Sequence, residues 1–378
     1  MRRGGSQIAN DSEGESMKNH TATKQVMSLT DLSACTTVAV DLAKQFFQVA
    51  GEDALGQVRY EERIKSREKF YAFLKELPAH VEVLVETGPG AQAWARQLQD
   101  QGNQVRILPA RLVANHSSGA KNDRNDALAI LRAGRDSHIA GVPVKSAAAL
   151  GMQALHRVRQ GCIRRRTAIG NQIRGLLLEH GVALAQGDLA ISRTLPRILE
   201  DATQPLPDML RELIDELQAE WQQTGIRIDV LTGRLEVAAQ ADATAKRLMT
   251  VRGVGPITAT ALLAKHTEPE RFANARMFAA YFGLVPDQHS SGAKIRLGKM
   301  SKRGDGYLRG LMIQGAHAVL RQIKPDSEQP DDRRLLNWLS RVGRKEAAVR
   351  LANRNLRILW KLLQNNDIYS RQPDRQAA

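Results

Sequence analysis

The sequence predicts a mixed α/β domain followed by an all-α region, and three patterns support this. Short β-rich runs are followed by alternating helices and strands, which is typical of a mixed sheet. A central segment repeats apolar residues every three or four positions, and a third segment places two apolar helices around a Gly-Val-Gly turn. The predicted divisions are a disordered leader over 1–34, an α/β domain over 35–144, a helical coiled coil over 145–244, a C-terminal domain over 245–364 and a polar tail over 365–378.

The α/β domain opens with three β-rich runs from Thr36 onward: TTVAV, FFQVA and QVRYEE. Gly51 and Gly56 mark the turns between them, so a three-stranded meander is expected. A helix over SREKFYAFLKEL has Ser66 as its N-cap and ends at Pro78. The runs VEVLVE, AQAWARQLQDQG and QVRILP then predict a strand, a helix and a strand.

The central segment predicts a long antiparallel helical hairpin. Its first helix extends from Lys145 to about His180 and has an arginine-rich surface, and a loop over 196–207 joins it to the second helix. Apolar residues of the second helix alternate between steps of four and three, as in a heptad seam: Leu210, Ile214, Leu217, Trp221, Thr224, Ile228, Leu231 and Leu235. Asp208 lies in its first turn, where the helix dipole favours acidic groups. An interdomain spacer and a dimerisation arm both fit this pattern.

The third segment predicts a helix-hairpin-helix around Gly253 and Gly255, whose backbone amides could contact a phosphate. Glycine in a helical turn can equally be required by a positive φ angle. A loop rich in Ser, Gly, Lys and Arg follows, DQHSSGAKIRLGKMSKRGDGYLR, and helices are expected near 308–322 and 333–363.

The charge balance indicates an acidic partner. The 378 residues hold 55 Lys and Arg against 40 Asp and Glu, a formal net charge of +15. Nucleic acid is the expected partner because neutralised phosphates release counterions; a ribosome or an acidic protein is the alternative. Aromatic residues make up only 4%, which argues against base-stacking platforms. The candidate nucleic-acid contacts are Arg164, Arg165, Arg166, Gly253, Gly255, Lys294, Arg296, Lys302 and Arg303.

Cysteine content and hydropathy restrict the compartment. Two cysteines, Cys35 and Cys162, are too few for a disulfide scaffold or a thiolate zinc site and fit a reducing cytoplasm. No run approaches the ~18 apolar residues of a membrane span, and the leader has no signal-peptide core. We therefore expect a cytoplasmic, nucleoid-associated bacterial protein that starts at Met1, Met17 or Met27.

Four carboxylates are the candidate catalytic and metal-binding residues. Asp41 ends the first strand, Glu86 ends VEVLVE, and Asp123 and Asp126 lie three apart at the start of a predicted helix. An acid at any one of these places is more often solvated than catalytic. In this order and in a basic protein, however, the four can converge at the carboxyl edge of a sheet. Such oxygens suit Mg²⁺, and two ions about 4 Å apart would hold the attacking and leaving oxygens of a phosphodiester exchange.

Ser290 and Ser291 are candidate nucleophiles in the basic loop. Surrounding cations could stabilise charge on a phosphorane formed by attack of a hydroxyl. From spacing alone, such a loop is more often a phosphate-binding surface, and HSSG also occurs over 116–119. His289 and His116 lie near the candidate sites, but no ligand spacing supports a transition-metal site there.

Seven short motifs occur in order over most of the chain. They are VAVDLAK over 38–44, VETG over 85–88, KNDRNDA over 121–127, LHRVRQ over 155–160, GVGPITA over 253–259, GLVPDQHSSG over 283–292 and SKRGD over 301–305. Together they resemble the transposases of insertion-sequence family one-ten, relatives of the Piv-type DNA invertases, and within that family the subgroup with an HSSG loop.

The resemblance implies a RuvC-like, RNase H-type domain with an Asp-Glu-Asp-Asp metal site at Asp41, Glu86, Asp123 and Asp126. It also implies a C-terminal transposase domain in which Ser291 is the nucleophile and forms a covalent phosphoserine intermediate. The resemblance further implies that the substrate is double-stranded DNA and that the site is shared between protomers of a dimer or tetramer. It also implies a structured bridge RNA that comes from the element's flanks.

Two other functions remain open from the sequence. A RuvC-like structure-specific nuclease would use water as the nucleophile, with the basic loop only holding DNA. A non-catalytic nucleic-acid scaffold is the other, and it is disfavoured because metal chemistry alone requires the four acids together.

Overall fold

The computed structural model describes residues 31–42, 46–119, 122–265, 268–289 and 296–369. Most of the predicted leader and most of the predicted tail lie outside these residues. The chain forms two compact units, one ending at Val142 and the other beginning at Pro143.

The first unit is built on a five-stranded sheet in the order β3-β2-β1-β4-β5. Its strands are β1 (Thr37–Leu42), β2 (Phe47–Glu52), β3 (Val58–Ile64), β4 (Glu82–Glu86) and β5 (Gln104–Leu108). β1, β2 and β3 pair antiparallel, whereas β4 runs parallel to both β1 and β5. The predicted meander and the mixed α/β class are confirmed.

The helices of this unit connect and cover the sheet. They are α1 (Arg67–Glu76), α2 (Ala91–Asp100), α3 (Ala110–Val113) and α4 (Asp123–Arg135). Ser66 caps α1 as the sequence predicts, its side chain accepting from the Lys69 amide. Asn122 caps α4 in the same way, accepting from the Asn125 amide.

The two faces of the sheet have different cores. On one face the rings of Phe47 and Phe70 stack at 4.0 Å, and Trp94 packs edge-on against Phe70 at 4.9 Å. On the other face α4 buries Ile130 against strand residues that include Ala39 and Leu84. The strands therefore carry apolar residues on both faces, as expected of a sheet that is covered by helices on both sides.

The second unit begins with two long helices, α5 (Ala147–Glu179) and α7 (Asp208–Ala241), joined through α6 (Leu195–Glu200). Arg165 of α5 pairs with Glu220 of α7 at 2.6 Å, and Arg159 donates to Thr232 at 2.7 Å. The later residue of α5, Arg165, contacts the earlier residue of α7, Glu220, so the two helices run antiparallel.

The predicted apolar seam of α7 faces inward. Leu217 and Ile228 are partly buried, and the remaining six seam residues are buried: Leu210, Ile214, Trp221, Thr224, Leu231 and Leu235. The loop predicted over 196–207 contains part of a helix, because Pro196 at the start of α6 needs no amide partner.

The rest of the second unit is mainly helical. It contains α8 (Ala243–Met249), α9 (Pro256–Ala264), α10 (Ala275–Tyr281), α11 (Gly306–Gln322) and α12 (Pro330–Asn365), with a short hairpin of β6 (Pro286–Gln288) and β7 (Leu297–Met300). α12 is kinked at Gly343, where φ is 74°. The hairpin corrects the sequence prediction, which placed a loop here, because its two short strands carry no alternating pattern.

No helix in the described part of the chain has the length and apolar character required to cross a membrane.

Candidate functional site

Asp41 and Glu86 lie at the same level of two adjacent parallel strands. Val40 of β1 pairs with Val85 of β4, and each acid is the next residue along its strand. Parallel strands carry their carboxyl ends at one edge, so the two carboxylates are neighbours at that edge.

Both acids face α4. Side chains alternate across a strand, so Asp41 shares a face with Ala39 and Glu86 shares it with Leu84. Ala39 and Leu84 are buried in the core that α4 covers. Asp41 and Glu86 are partly buried.

The start of α4 lies at the same edge of the sheet. Its last residue, Arg135, donates to Glu52 at 3.0 Å, and Glu52 is paired with Thr37, the first residue of β1. The carboxyl end of α4 is thus at the amino end of β1, and its amino end is near the carboxyl end of β1. This direction brings Asp123 and Asp126 to the side of Asp41.

An ion pair fixes the level of Asp123 more closely. Asp41 is opposite Gln48, and Gln48 is opposite Arg63 on β3. The Nη2 atom of Arg63 lies 3.3 Å from Oδ2 of Asp123, and both side chains are about half exposed. The next helix residue, Arg124, donates to Glu61 at 2.5 Å and ties the same turn to β3.

The donor set suits a hard cation, but the described side chains are not gathered around a metal position. Carboxylate oxygens are the preferred ligands of Mg²⁺. Within the described ranges no three His, Cys, Asp or Glu side chains are arranged to hold an ion. Asp123 is directed to Arg63 instead. The backbone therefore brings the acids to one edge of the sheet, while the Asp123 carboxylate is paired with the Arg63 side chain.

The predicted nucleophile loop connects β6 to β7. Ser290, Ser291 and Lys294 lie outside the described residues. The residues on either side are paired: the amide of His289 donates to the carbonyl of Arg296 at 2.8 Å. Both ends of the loop are thereby held at the end of one hairpin.

The SKRGD segment packs against the start of this hairpin. The Ser301 amide donates to the Val285 carbonyl at 2.9 Å, and Arg303 lies 3.7 Å from Asp287. A Cβ on Gly304 would lie 2.0 Å from the Tyr281 carbonyl oxygen, so only glycine allows this backbone approach. Lys302, Arg303 and Arg296 are exposed.

A groove of about 1290 Å³ lies against the same hairpin. Met277 and Trp338 supply part of its apolar lining. Its cationic side chains are Arg276, Lys299, Lys345, Arg350, Arg354 and Arg357. A cationic groove beside the serine loop can hold a phosphate backbone. Sequence reasoning missed these residues, although Arg350, Arg354 and Arg357 recur on α12 at steps of four and three, which puts them on one helical side.

The predicted arginine cluster on α5 lies at the surface, and two of its three members are bonded within the second unit. Arg164 is exposed. Arg165 is paired with Glu220. Arg166 lies 2.8 Å from Asp188, and its guanidinium sits 3.9 Å from the centre of the Trp221 ring. Arg166 therefore also stabilises the hairpin.

The Gly253–Gly255 turn connects α8 to α9. Gly253 has φ +85°, and a Cβ there would lie 2.9 Å from the carbonyl oxygen of Gly315 on α11. Gly255 is exposed and would have open space around a Cβ. The first glycine is explained by packing, whereas the second leaves the start of α9 accessible.

His116 lies 3.7 Å from Asp136 rather than among the candidate acids.

Comparison with known proteins supplies the class. The model described as "Transposase IS116/IS110/IS902 family" matches residues 245–330, and a second transposase model, for the DEDD type of IS110 elements, matches residues 38–181. The second match implies a RuvC-like fold for the sheet domain.

Curated relatives match nearly the whole chain. A probable family 20 transposase of Pseudomonas aeruginosa is 40% identical over 333 residues, which cover 88% of this chain and 98% of that protein. The transposase for insertion sequence element IS1111A of Coxiella burnetii is 34% identical, over 88% of this chain and 90% of that protein. The transposase for insertion sequence element IS1328 of Yersinia enterocolitica is 31% identical, over 89% and 99%. The chain belongs to the IS110 family of transposases.

Proposed function

We propose that this protein is a DNA recombinase that excises and inserts its own insertion sequence. Asp41, Glu86, Asp123 and Asp126 form its acidic site, which binds two Mg²⁺ ions, and Ser291 is its covalent nucleophile. The observation that carries the proposal is the placement of Asp41 and Glu86 at one level of β1 and β4, on the face covered by α4. Family membership and the net charge of +15 agree with a DNA substrate.

The acids would act through bound Mg²⁺, which supplies charge stabilisation at the reacting phosphate. The protein's own part is to hold the carboxylates on rigid strand ends and on the first turn of a capped helix. Rigid supports of this kind keep ligands in place without reorganisation during the reaction.

Ser291 would supply the strand-cleavage step. Its Oγ atom forms a bond to phosphorus while the bond from phosphorus to one sugar oxygen breaks. The serine hydroxyl loses its proton, the departing sugar oxygen gains one, and the DNA end remains esterified to the protein. A hydroxyl of a second strand then attacks the same phosphorus and releases the serine. The groove beside β6 and β7 is placed to hold the strand next to this loop.

A structured RNA from the element's own flanks is the proposed guide that bridges donor and target DNA. The excess of cations is compatible with two nucleic-acid partners at once. Recovery of such an RNA after crosslinking to the full-length protein would support this step. Recovery of DNA alone would restrict the partner to DNA.

A homo-oligomer, dimer or tetramer, is proposed because the resemblance implies a site shared between protomers. The helical hairpin is its arm, with coiled-coil pairing between copies. The inward seam is already covered by α5, so contact between copies uses the outer side of α7. Ile226, Val230 and Val237 are exposed there, by 57%, 52% and 71%.

The proposal is tested by an excision assay in cells that carry the gene with its native flanks. Junction PCR for the excised circle compares wild type with Asp41→Asn, Ser291→Ala and the control Asp100→Asn, an exposed acid of α2. Wild type and the control should yield a circle, and the two site variants should not. Circle formation by Asp41→Asn would contradict the metal role, and DNA cleavage that persists in Ser291→Ala would favour the water-dependent nuclease.

A further inference from the structure

A small pocket in the second unit, lined by both polar and apolar groups, is not used by the proposed chemistry. Its volume is about 140 Å³, larger than the ~10–15 Å³ that one water requires and smaller than the ~300 Å³ of a site for a whole small molecule. It is lined by Gln153, His156, Arg157, Gln160, Ala261, Ala264, Lys265, Asp305 and Tyr307. The size suits one charged group of a larger ligand.

Segments far apart in the chain meet at this pocket. The LHRVRQ segment of α5 supplies His156, Arg157 and Gln160. Lys265 follows directly after α9, the helix that starts at the Gly-Val-Gly turn. Asp305 is the last residue of SKRGD and caps α11, accepting from the Leu308 amide at 2.8 Å. The pocket thus brings together residues that have no proposed role in the acidic site or in the serine loop.

A buried histidine fixes the wall of the pocket. His156 is only 3% exposed, and both ring nitrogens are bonded: Nδ1 to the Tyr307 hydroxyl at 3.0 Å and Nε2 to Thr260 Oγ1 at 3.1 Å. Burial, followed by the nearby Arg159, lowers the pKa of this imidazole to about 4. The ring is therefore neutral near pH 7, and it positions Tyr307 without adding charge.

The pocket carries excess positive charge. Lys265 forms an ion pair with Asp305, which leaves the guanidinium of Arg157 as uncompensated charge among the lining residues. Lys145, 8% exposed, donates to Gln153 of the lining at 3.1 Å. Burial is the main cause that lowers the pKa of Lys145 to about 8, and the positive charges of Lys265 and Arg157 lower it further.

We propose that this pocket binds a phosphodiester group of the nucleic acid on which the protein acts. The inference rests on the proposed function, because it identifies the ligand as part of that substrate. Arg157 supplies a charge-assisted donor, and Lys265 retains N–H donors beyond its ion pair with Asp305. The side-chain amides of Gln153 and Gln160 supply neutral donors, whereas the Tyr307 hydroxyl is bonded to His156 and shapes the wall of the pocket. The positive charge of Arg157, which has no acidic partner among the lining residues, favours an anionic group over a cation.

The test compares full-length wild type with Arg157→Gln. Arg157 is exposed, so the substitution leaves the core intact. Arg227→Gln removes the same charge from an exposed position of α7 and is the matched control. The dissociation constants for duplex DNA and for the element's RNA are measured at several salt concentrations. In Arg157→Gln the slope of log K against log salt should fall by about 0.9 with duplex DNA or about 0.7 with single-stranded nucleic acid, and in the control it should not change.

A second measurement uses inorganic phosphate as the probe. At equal ionic strength, phosphate should raise the melting temperature of wild type above its value in chloride, and this increase should be lost in Arg157→Gln. The salt-dependence slope is compared between the DNA titration and the RNA titration. The nucleic acid whose slope falls in Arg157→Gln is the one whose backbone occupies the pocket.

The outcomes separate the pocket from the proposed function. Nucleic-acid binding with the same slope in Arg157→Gln and wild type would overturn the pocket assignment alone. Absence of nucleic-acid binding by wild type would overturn the proposed function. Stabilisation by phosphate without nucleic-acid binding would overturn the phosphodiester assignment and indicate a site for free phosphate.

Discussion

Arg63 on β3 holds Asp123 on α4 at 3.3 Å, at the same level of the sheet as Asp41. The proposed metal ligand is thereby paired with an internal cation. A metal ion at this edge must compete with Arg63 for the Asp123 carboxylate. The pair is about half exposed, and exposed ion pairs contribute roughly 0–1 kcal/mol, so the competition is modest.

Arg63→Gln should therefore lower the Mg²⁺ concentration at which DNA cleavage is half-maximal, by up to about five-fold. The measurement is a Mg²⁺ titration of cleavage rate at saturating DNA. Arg124→Gln breaks the adjacent pair with Glu61 and should leave the Mg²⁺ midpoint unchanged. A midpoint that rises in Arg63→Gln would contradict the competition between Arg63 and the metal.

The backbone contact between Gly253 and Gly315 predicts a selective loss of stability. A Cβ on Gly315 would lie 1.9 Å from the Gly253 carbonyl oxygen, so Gly315→Ala must separate the turn from α11. We expect a loss of more than about 1 kcal/mol, as for other overpacked sites. Gly310→Ala, on the same helix with open space around its Cβ, should be neutral or slightly stabilising. Denaturant unfolding of both variants checks this, and equal stabilities would show that the contact has no energetic role.

The stability of the second unit should depend on pH through His156. Its pKa is about 4 in the folded protein, against 6.5 for an unperturbed histidine. Between these values the unfolded chain binds a proton that the folded chain excludes, so stability is retained above pH 6.5 and falls as the pH drops toward 4, by up to about 3 kcal/mol.

His156→Gln should flatten this part of the stability curve, since glutamine does not titrate. His317→Gln, on α11, should keep the wild-type slope. Urea unfolding between pH 4 and 7 gives the comparison. A wild-type slope in His156→Gln would assign the pH dependence to other groups.

The helical hairpin should respond differently to changes on its two sides. Trp221 is 5% exposed and lies under Arg166, so Trp221→Ala should reduce stability by about 3–5 kcal/mol. Val230→Lys with Val237→Lys changes only exposed positions and should leave stability nearly unchanged while reducing the oligomer mass. Denaturant unfolding and light scattering measure the two effects. An unchanged mass in the lysine variant would place the contact between copies elsewhere.

The sequence predicted the local elements well because their signals are local. The cap at Ser66 and the strand alternation around Val40 and Val85 depend on neighbouring residues alone. The register that aligns Asp41 with Glu86 requires pairing between distant strands, which no single-chain pattern specifies. For the same reason, the direction of α4 and the Arg63–Asp123 pair became evident only in the structure.

The seam of α7 illustrates the limit of periodicity. The spacing from Leu210 to Leu235 correctly predicts one buried side of a helix. It does not distinguish burial against α5 of the same chain from burial against another copy, because both place the same residues in an apolar contact. The pocket around His156 was likewise hidden, since its residues belong to separate motifs.

The covalent role of Ser291 is the central claim, and a protein-linked DNA end is its most direct evidence. The purified protein is incubated with element-end DNA and Mg²⁺, denatured, and digested for mass spectrometry of the peptide that carries the nucleotide. Wild type and Ser290→Ala should yield the adduct on Ser291, and Ser291→Ala should yield none. An adduct that persists in Ser291→Ala, or cleavage by wild type without any adduct, would contradict the account.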